Sequence, residues 1–411
     1  MPTATSLSDS FRDRISGLKP ASETYATDVV SHVLEAARTE GVSDVHLIPA
    51  ESGARLRMLW RIDGVLHDVA MLERAPNIVA RLKVLSGLLT YRTDVPQEGR
   101  IRTGDEHVEM RVSTFPTIHG EKAVVRLFVG SGRYSNLDEL GFPPDVQPEF
   151  ERLLTLTSGA LLVAGPAGSG KTTTLYAELR HIRGESPAAR SIVTLEDPVE
   201  ALVNGVSQSQ VAAERAFNYA TGLRSLMRQD PEVIMVGEIR DRETAATVFQ
   251  AALTGQLVLS SFHAGSGAEA IGRLLDLDVE PYLLRSGLLG VLAQRLVRQL
   301  CTCAIPAGDP DVGLQLESRE HRTTAGCSDC RQTGYAGRLM LCELLIPRQS
   351  DVARGIVEDF NTDLVHRTAT GAGMVPIEQR AREAVLAGLT TPAEVRRVLG
   401  QSAFDPPRQA P

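Results

Sequence analysis

The chain has 411 residues, 43% of them hydrophobic and 23% charged, the balance of a soluble globular protein with a sizeable core. At about 100–200 residues per domain this predicts two or three domains. The composition excludes a disordered chain, a collagen and a disulfide-stapled miniprotein, and a formal charge of −8 makes the surface as a whole a poor trap for polyanions. Of the 43 basic residues only four are lysine: Lys19, Lys83, Lys122 and Lys171. No apolar run approaches the ~18 residues of a bilayer span, and the polar start from Met1 to Arg14 lacks the apolar stretch of a signal peptide. The chain therefore reads as cytoplasmic. Its five cysteines fall at 301, 303, 327, 330 and 342, and without a secretion signal such clustering points to metal rather than to disulfides.

Residues 1–23 show no period and read as a flexible lead. Residues 24–130 read as an α+β domain. Val29, Val30, Val33, Leu34 and Ala37 make a helical face after Thr27 or Asp28 as N-cap, with Gly41 as the stop. The stretch 43–47 alternates like a strand, and 55–66 alternates around Asp63-Gly64, a hairpin signal. A second helix is expected over 78–89, then strands near 101–102, 109–112 and 122–129. A Gly- and Pro-rich linker covers 131–148. Over 149–300 short apolar runs at 160–164, 192–195, 233–236 and 257–260 alternate with amphipathic stretches, the pattern of parallel strands covered on both faces in an α/β domain. A Cys-rich segment (301–342) and a helical subdomain (343–400) follow, with a helix start at Thr391-Pro392-Ala393-Glu394, then a disordered tail (401–411).

Gly165-Pro166-Ala167-Gly168-Ser169-Gly170-Lys171-Thr172 matches G-x-x-x-x-G-K-[ST] between an apolar strand and a helix that includes Thr173. Backbone N–H groups of such a loop curl around phosphate oxygens at the positive end of the helix. Lys171 would reach the β- and γ-phosphates and the Thr172 hydroxyl would ligate Mg²⁺. An ordinary Gly-rich turn would not need strand, helix and one of four lysines in register. The acid expected for the water and metal is Glu238, which ends the run 233–236; the usual aspartate is absent. Glu196, Asp197 and Glu200 close the run 192–195, and Glu196 is favoured to face Mg²⁺, although loop acids are commonly just solvated. His263 follows a fourth core strand as a γ-phosphate sensor or water-orienting group.

These residues carry a resemblance. Ser43-Asp44-Val45-His46, Arg61-Ile62-Asp63-Gly64, Pro96-Gln97-Glu98-Gly99-Arg100-Ile101 and Arg111-Val112-Ser113-Thr114 resemble the second N-terminal domain of the secretion-ATPase superfamily. So do the phosphate loop, Leu195-Glu196-Asp197-Pro198-Val199-Glu200 (its Asp box), Arg228-Gln229-Asp230-Pro231, Gly237-Glu238-Ile239-Arg240-Asp241 (its Walker B), residues 254–263 (its His box), Ala293-Gln294-Arg295-Leu296-Val297-Arg298 and Thr333-Gly334-Tyr335-Ala336-Gly337-Arg338. The match covers about 25–400 and is similar to the type II secretion and type IV pilus assembly ATPases. It implies a RecA-like nucleotide domain preceded by a smaller PAS-like domain, in a homo-hexameric ring hydrolysing ATP with Mg²⁺ between the nucleotide domain and a mobile N-terminal domain. Arg111 and Arg126, with Arg224 and Arg228, take the places of the family's phosphate-facing arginines, where a planar, permanently charged fork suits phosphate oxygens. It further implies an inner-membrane platform protein as partner, peripheral membrane association at the inner face of the cytoplasmic membrane, and no specific nucleic acid.

Three departures stand out. The family's first N-terminal domain has no counterpart in the match, Gln256 stands where its His box has a first histidine, and its two CxxC pairs are here Cys301-x-Cys303 and Cys327-x-x-Cys330. The four thiols still suit a closed, structural Zn²⁺ site, with Cys342 as a possible replacement ligand. The leading expectation is a motor for pseudopilus or pilus assembly and type II secretion. The alternatives are a retraction or DNA-uptake motor, whose branch lacks the cysteine segment, and a nucleotide-gated scaffold with little turnover, suggested by Gln256. A DNA translocator is disfavoured by the charge and by 4% aromatics.

Overall fold

The computed structural model describes residues 11, 15–102, 109–127, 136–185, 190–212, 217–311, 314, 316, 319–347, 350–357 and 360–400. Most of the expected flexible lead (1–10 and 12–14), the first part of the linker (131–135) and the tail (401–411) lie outside these residues. The chain divides into two compact units: residues 1–133 with Cys301–Ile305 and Thr324–Gly337, and residues 134–300 with Pro306–Thr323 and 338–411.

The first unit is α+β. Helix α1 (Tyr25–Thr39) buries Val29, Val30, Val33, Leu34 and Ala37, the predicted face, although it begins ahead of Thr27. Strands β1 (Asp44–Pro49), β2 (Leu56–Ile62) and β3 (Val65–Leu72) precede α2 (Ala75–Leu85), and β4 (Gln97–Arg102), β5 (Glu109–Thr117) and β6 (Gly120–Leu127) follow it. They form one antiparallel sheet in the order β3-β2-β1-β6-β5-β4. The β2–β3 turn falls on Asp63-Gly64, both with positive φ, as the primed turn of a tight hairpin requires. Helix α2 ends before the expected 89, at Ser86-Gly87. Lys83, for which the sequence suggested no role, is fully buried; its ammonium donates to the Arg92 carbonyl at 2.8 Å and pairs with Glu121, tying α2 to β6. Within the expected lead, Phe11 and Ile15 are buried in this unit's core, and the Phe11 ring lies 4.8 Å from that of Trp60.

The second unit is a RecA-like α/β domain. After a short 3₁₀ turn (Leu137–Leu140) and α3 (Gln147–Leu154) come β7 (Gly159–Ala164), α4 (Lys171–Glu185), β8 (Ile192–Glu196), β9 (Ser207–Gln210), α5 (Tyr219–Leu226), β10 (Val233–Glu238), α6 (Arg242–Leu253), β11 (Leu257–Phe262), α7 (Gly267–Asp276), α8 (Pro281–Gly287), β12 (Leu288–Leu300) and β13 (Tyr335–Leu345). The last lies partly in each unit. Helices α9 (Ser350–Val357), α10 (Thr362–Gly371), α11 (Ile377–Leu386) and α12 (Pro392–Leu399) form the helical tail. Thr391 caps α12 as expected, accepting from the Glu394 N–H at 3.1 Å. The sheet runs β13-β12-β7-β11-β10-β8-β9, and the pairings of β12, β7, β11, β10, β8 and β9 are parallel. Strands β7, β8 and β11 are buried along their whole length, because helices cover both faces. From the expected linker, Leu137, Phe142 and Val146 pack into this core. Among the described residues no helix is long and apolar enough to cross a membrane.

Candidate functional site: a phosphate loop facing a carboxylate–histidine pair

The ends of β7, β11 and β10 carry the chemistry expected of a topological switch point. The loop 165–170 leaves β7 and α4 begins at Lys171. At Gly170, φ is 92° and an added Cβ would lie 3.1 Å from the Gln294 amide, so only glycine fits. The Lys171 ammonium curls over the loop, donating to the Gly165 and Pro166 carbonyls at 2.9 and 3.0 Å. Burial, with Arg295 nearby, lowers its pKa to about 8 against the pull of Glu238. Among the described residues the buried Ser169 hydroxyl has no partner. A buried unmade donor costs stability, and a phosphate oxygen in the loop is the group that would use it, so the loop fits a nucleotide phosphate. Thr172 and Thr173 are half-buried at the start of α4, where a hydroxyl can serve Mg²⁺. Pro166, Ala167 and Gly168 form the exposed rim.

Sequence reasoning missed what holds this loop. Gln294, on β12, is buried; its amide donates to the Ser169 carbonyl at 2.7 Å and accepts from the Thr174 hydroxyl at 3.0 Å. It belongs to the motif at 293–298, but no spacing rule links it to residue 169.

Glu238 ends β10, which does not flank β7: β11 lies between them. A register shift between Val236 and Glu238, with Ser260 and Ser261 hydroxyls donating to the Val236 and Gly237 carbonyls at 2.8 and 2.6 Å, re-aims the carboxylate, a common use of a bulge beside a site. One Glu238 oxygen pairs with Arg240 and the other lies 3.9 Å from His263 Nε2. His263 follows the intervening strand. Burial and the Lys171 charge lower its pKa, so near pH 7 it is a neutral hydrogen-bonding group.

Glu196, the acid favoured to face Mg²⁺, ends β8. It is 3% exposed, and Tyr176, Thr194 and Gln208 donate to its carboxylate at 2.5, 2.5 and 3.1 Å. It is thus a buried, hydrogen-bonded acid at the end of β8, reached by Tyr176 from α4. Tyr176 Oη also accepts from the Glu200 and Ala201 N–H groups at 3.0 and 3.2 Å, fixing the Asp box loop, while Asp197 is exposed. Gln256 precedes β11 and His263 follows it, about 20 Å apart along a strand, so its replacement leaves the phosphate end of β11 unchanged.

The four arginines lie in two groups. In the first unit, Arg111 pairs with Glu98 at 2.5 Å and Arg126 with Asp44 at 2.8 Å. In the second, Arg224 pairs with Glu243 at 2.7 Å and Arg228 donates to the Arg224 carbonyl at 3.0 Å, both near the exposed C-terminal end of α5.

Cys301, Cys303, Cys327 and Cys330 come together with all sulfurs within 4.8 Å. The separations 301–327, 303–330 and 327–330 are 3.8, 3.8 and 3.7 Å. Sulfurs 2.3 Å from a tetrahedral zinc would be about 3.8 Å apart, so the set fits that ion. Burial and the neighbouring thiols push Cys303 up to about 12, whereas hydrogen bonds from neighbouring groups lower Cys301, and lower Cys330 to about 7 against its burial. Cys342 lies apart, buried in the sheet core of the second unit. A second cluster, Glu343, His366 and Glu378, serves packing: Glu343 accepts from the Gly267 and Ile377 N–H groups at 2.9 and 3.3 Å, capping α7 and α11, beside the positive Arg295.

A phosphate loop on this sheet order, faced by a carboxylate at the end of the next strand but one, defines a P-loop nucleotide-binding protein. The chain belongs to the type II/IV secretion system protein family, whose model matches residues 20–397. It is 41% identical over 386 residues to type II secretion system protein E of Pseudomonas aeruginosa, covering 90% of this chain and 74% of that one. It is 37% identical over 393 residues to the type IV pilus assembly ATPase TfpB of Acinetobacter baylyi, covering 92% and 66%. The crystal structure of the pilus retraction motor PilT with bound ADP shares the fold, with a TM-score of 0.64 at 22% identity over 92% of this chain and 97% of that one.

Proposed function

We propose that the protein is a motor ATPase: a homo-hexameric ring at the inner face of the cytoplasmic membrane, hydrolysing ATP to drive pseudopilus or pilus assembly and type II protein secretion through an inner-membrane platform protein. The observation that carries the reading is the loop 165–171, with its unpartnered Ser169 hydroxyl and Lys171, facing Glu238 and His263. In this reading loop N–H groups and Ser169 hold phosphate oxygens, Lys171 stabilises the β,γ-bridge, and Thr172 would hold Mg²⁺. When bound, that ion would neutralise charge developing on the phosphates. Glu238, assisted by neutral His263, orients a water whose oxygen attacks the γ-phosphorus as the bridging P–O bond breaks. Its proton passes to the carboxylate and then to solvent. Glu196 holds the Asp box loop in place. Arg111, Arg126, Arg224 and Arg228 would bring compensating charge to nucleotides in the assembled ring. Zinc would clip the segments carrying Cys301, Cys303, Cys327 and Cys330. Phosphate release measured in wild type and Glu238→Gln tests the activity: losing a water-orienting carboxylate should cost about 10²–10⁴-fold, and a wild type no faster than the variant overturns it.

A further inference from the structure

One polar group at the acid end of the sheet is used by nothing described above. Tyr219 opens α5 directly after the N-cap Asn218, whose side chain accepts from the Thr221 N–H at 2.9 Å. The ring packs against the main core of its unit, and the hydroxyl emerges over the bulge in β10. A Cβ built on Gly237 would lie 2.8 Å from this oxygen, so glycine is what lets the phenol approach the backbone directly before Glu238. Among the described residues the hydroxyl has no hydrogen-bond partner, although the charges acting on it, Glu238, Asp197, Arg240 and Glu196, all lie at the ends of β8 and β10. Burial first, and then the Glu238 and Asp197 carboxylates, push the phenol well above its usual range. It therefore stays a neutral O–H donor wherever the protein is folded.

We propose that Tyr219 is a further positioning residue of the phosphate chemistry, donating its O–H to the water held by Glu238 and so fixing that water's lone pair toward the γ-phosphorus. The inference rests on the ATP-hydrolysis reading. A carboxylate that accepts from a water, even with His263 beside it, leaves the water's lone pairs free to turn, whereas a donor contact to the water oxygen fixes their direction. The phenol moves no proton to or from substrate; it acts on the water and on Glu238.

Tyr219→Phe removes one oxygen and keeps the ring. A lost hydrogen bond of this kind predicts a fall in kcat of about tenfold with KM for MgATP within twofold of wild type and an unchanged melting midpoint. ADP with aluminium fluoride, which mimics the reacting phosphoryl group, should be captured more weakly by the variant, while a non-hydrolysable ATP analogue binds equally. Wild-type kcat and equal fluoride-complex capture in Tyr219→Phe, alongside a Glu238-dependent wild-type activity, overturn this inference and leave the ATPase reading standing. Equal losses for the fluoride complex and the ATP analogue also overturn it, since the hydroxyl would then serve binding in general. A wild type without hydrolysis overturns both.

Discussion

Glu178 lies on α4, about two turns beyond the phosphate loop, and is fully buried, with both carboxylate oxygens unpartnered among the described residues. Its helix neighbours Leu175, Leu179 and Ile182 belong to the sheet core. Burial alone raises its pKa well above that of a free carboxyl, so the folded protein holds the acid neutral. Leaving such a polar group without a partner costs about 1–3 kcal/mol. Glu178→Leu fills the same space without it and should raise stability by that amount, a rise of about 2–10 °C in the melting midpoint of a domain this size. The pH dependence gives a second reading. Below the free carboxyl pKa of about 4.3 both folded and unfolded chains carry the proton. Above it the unfolded chain releases the proton while the folded one retains it, so wild-type stability falls with pH, by at most about 1.4 kcal/mol per unit for one proton. The decline ends at the raised folded pKa. The midpoint difference between Glu178→Leu and wild type, from thermal melts at pH 4.5 and pH 7, should therefore widen with pH. A variant that melts lower than wild type at both values, or a difference that does not change with pH, would refute the reasoning.

Lys171→Arg keeps the charge, but the broad guanidinium cannot take the place of an ammonium between the Gly165 and Pro166 carbonyls; a fluorescent nucleotide should lose binding, and ordinary affinity would contradict the assignment. Because the pKa of Lys171 is lowered to about 8 and a bound phosphate favours its charged form, binding above that pH must take up a proton. Nucleotide affinity measured by titration should fall toward tenfold per unit between pH 8.5 and 9.5, and a flat profile would show that Lys171 does not meet the phosphates. The purified protein should contain about one zinc per chain and Cys327→Ser markedly less; an equal content in the two would remove the metal site.

The phosphate loop was legible because its chemistry is local: eight consecutive residues, an apolar run before them and a helix after. The ends of the core strands were legible for the same reason, and Glu238 and His263 stand at or just after two of them. Groups acting from distant segments were not. Gln294 reaches the loop from β12, and Tyr176 reaches the Asp box from α4, through contacts that only the sheet order creates. That order also places β11 between β7 and β10, which no pairwise spacing could reveal. Glu196 shows the limit in reverse: an acid at the end of a strand looks identical in sequence whether it meets solvent or three buried donors. Phe11, Ile15 and Leu18 stand at helical spacing, but a single short stripe inside a polar stretch is too weak a period to separate from chance. Lys83 was invisible as a core residue because lysine is almost never buried unless paired, and its partners lie at 92 and 121.

The path of the chain between its two units has a practical meaning. It passes from one to the other at 133/134, 300/301, 305/306, 323/324 and 337/338, so these are not beads on a string that one cut can part. A fragment ending at residue 133 would lack all four zinc-suited thiols, and one starting at 134 would carry those thiols without the sheet they belong with. Dissection of this protein into halves is therefore expected to yield two incomplete bodies. Variants in the intact chain, rather than isolated domains, are the proper unit of experiment.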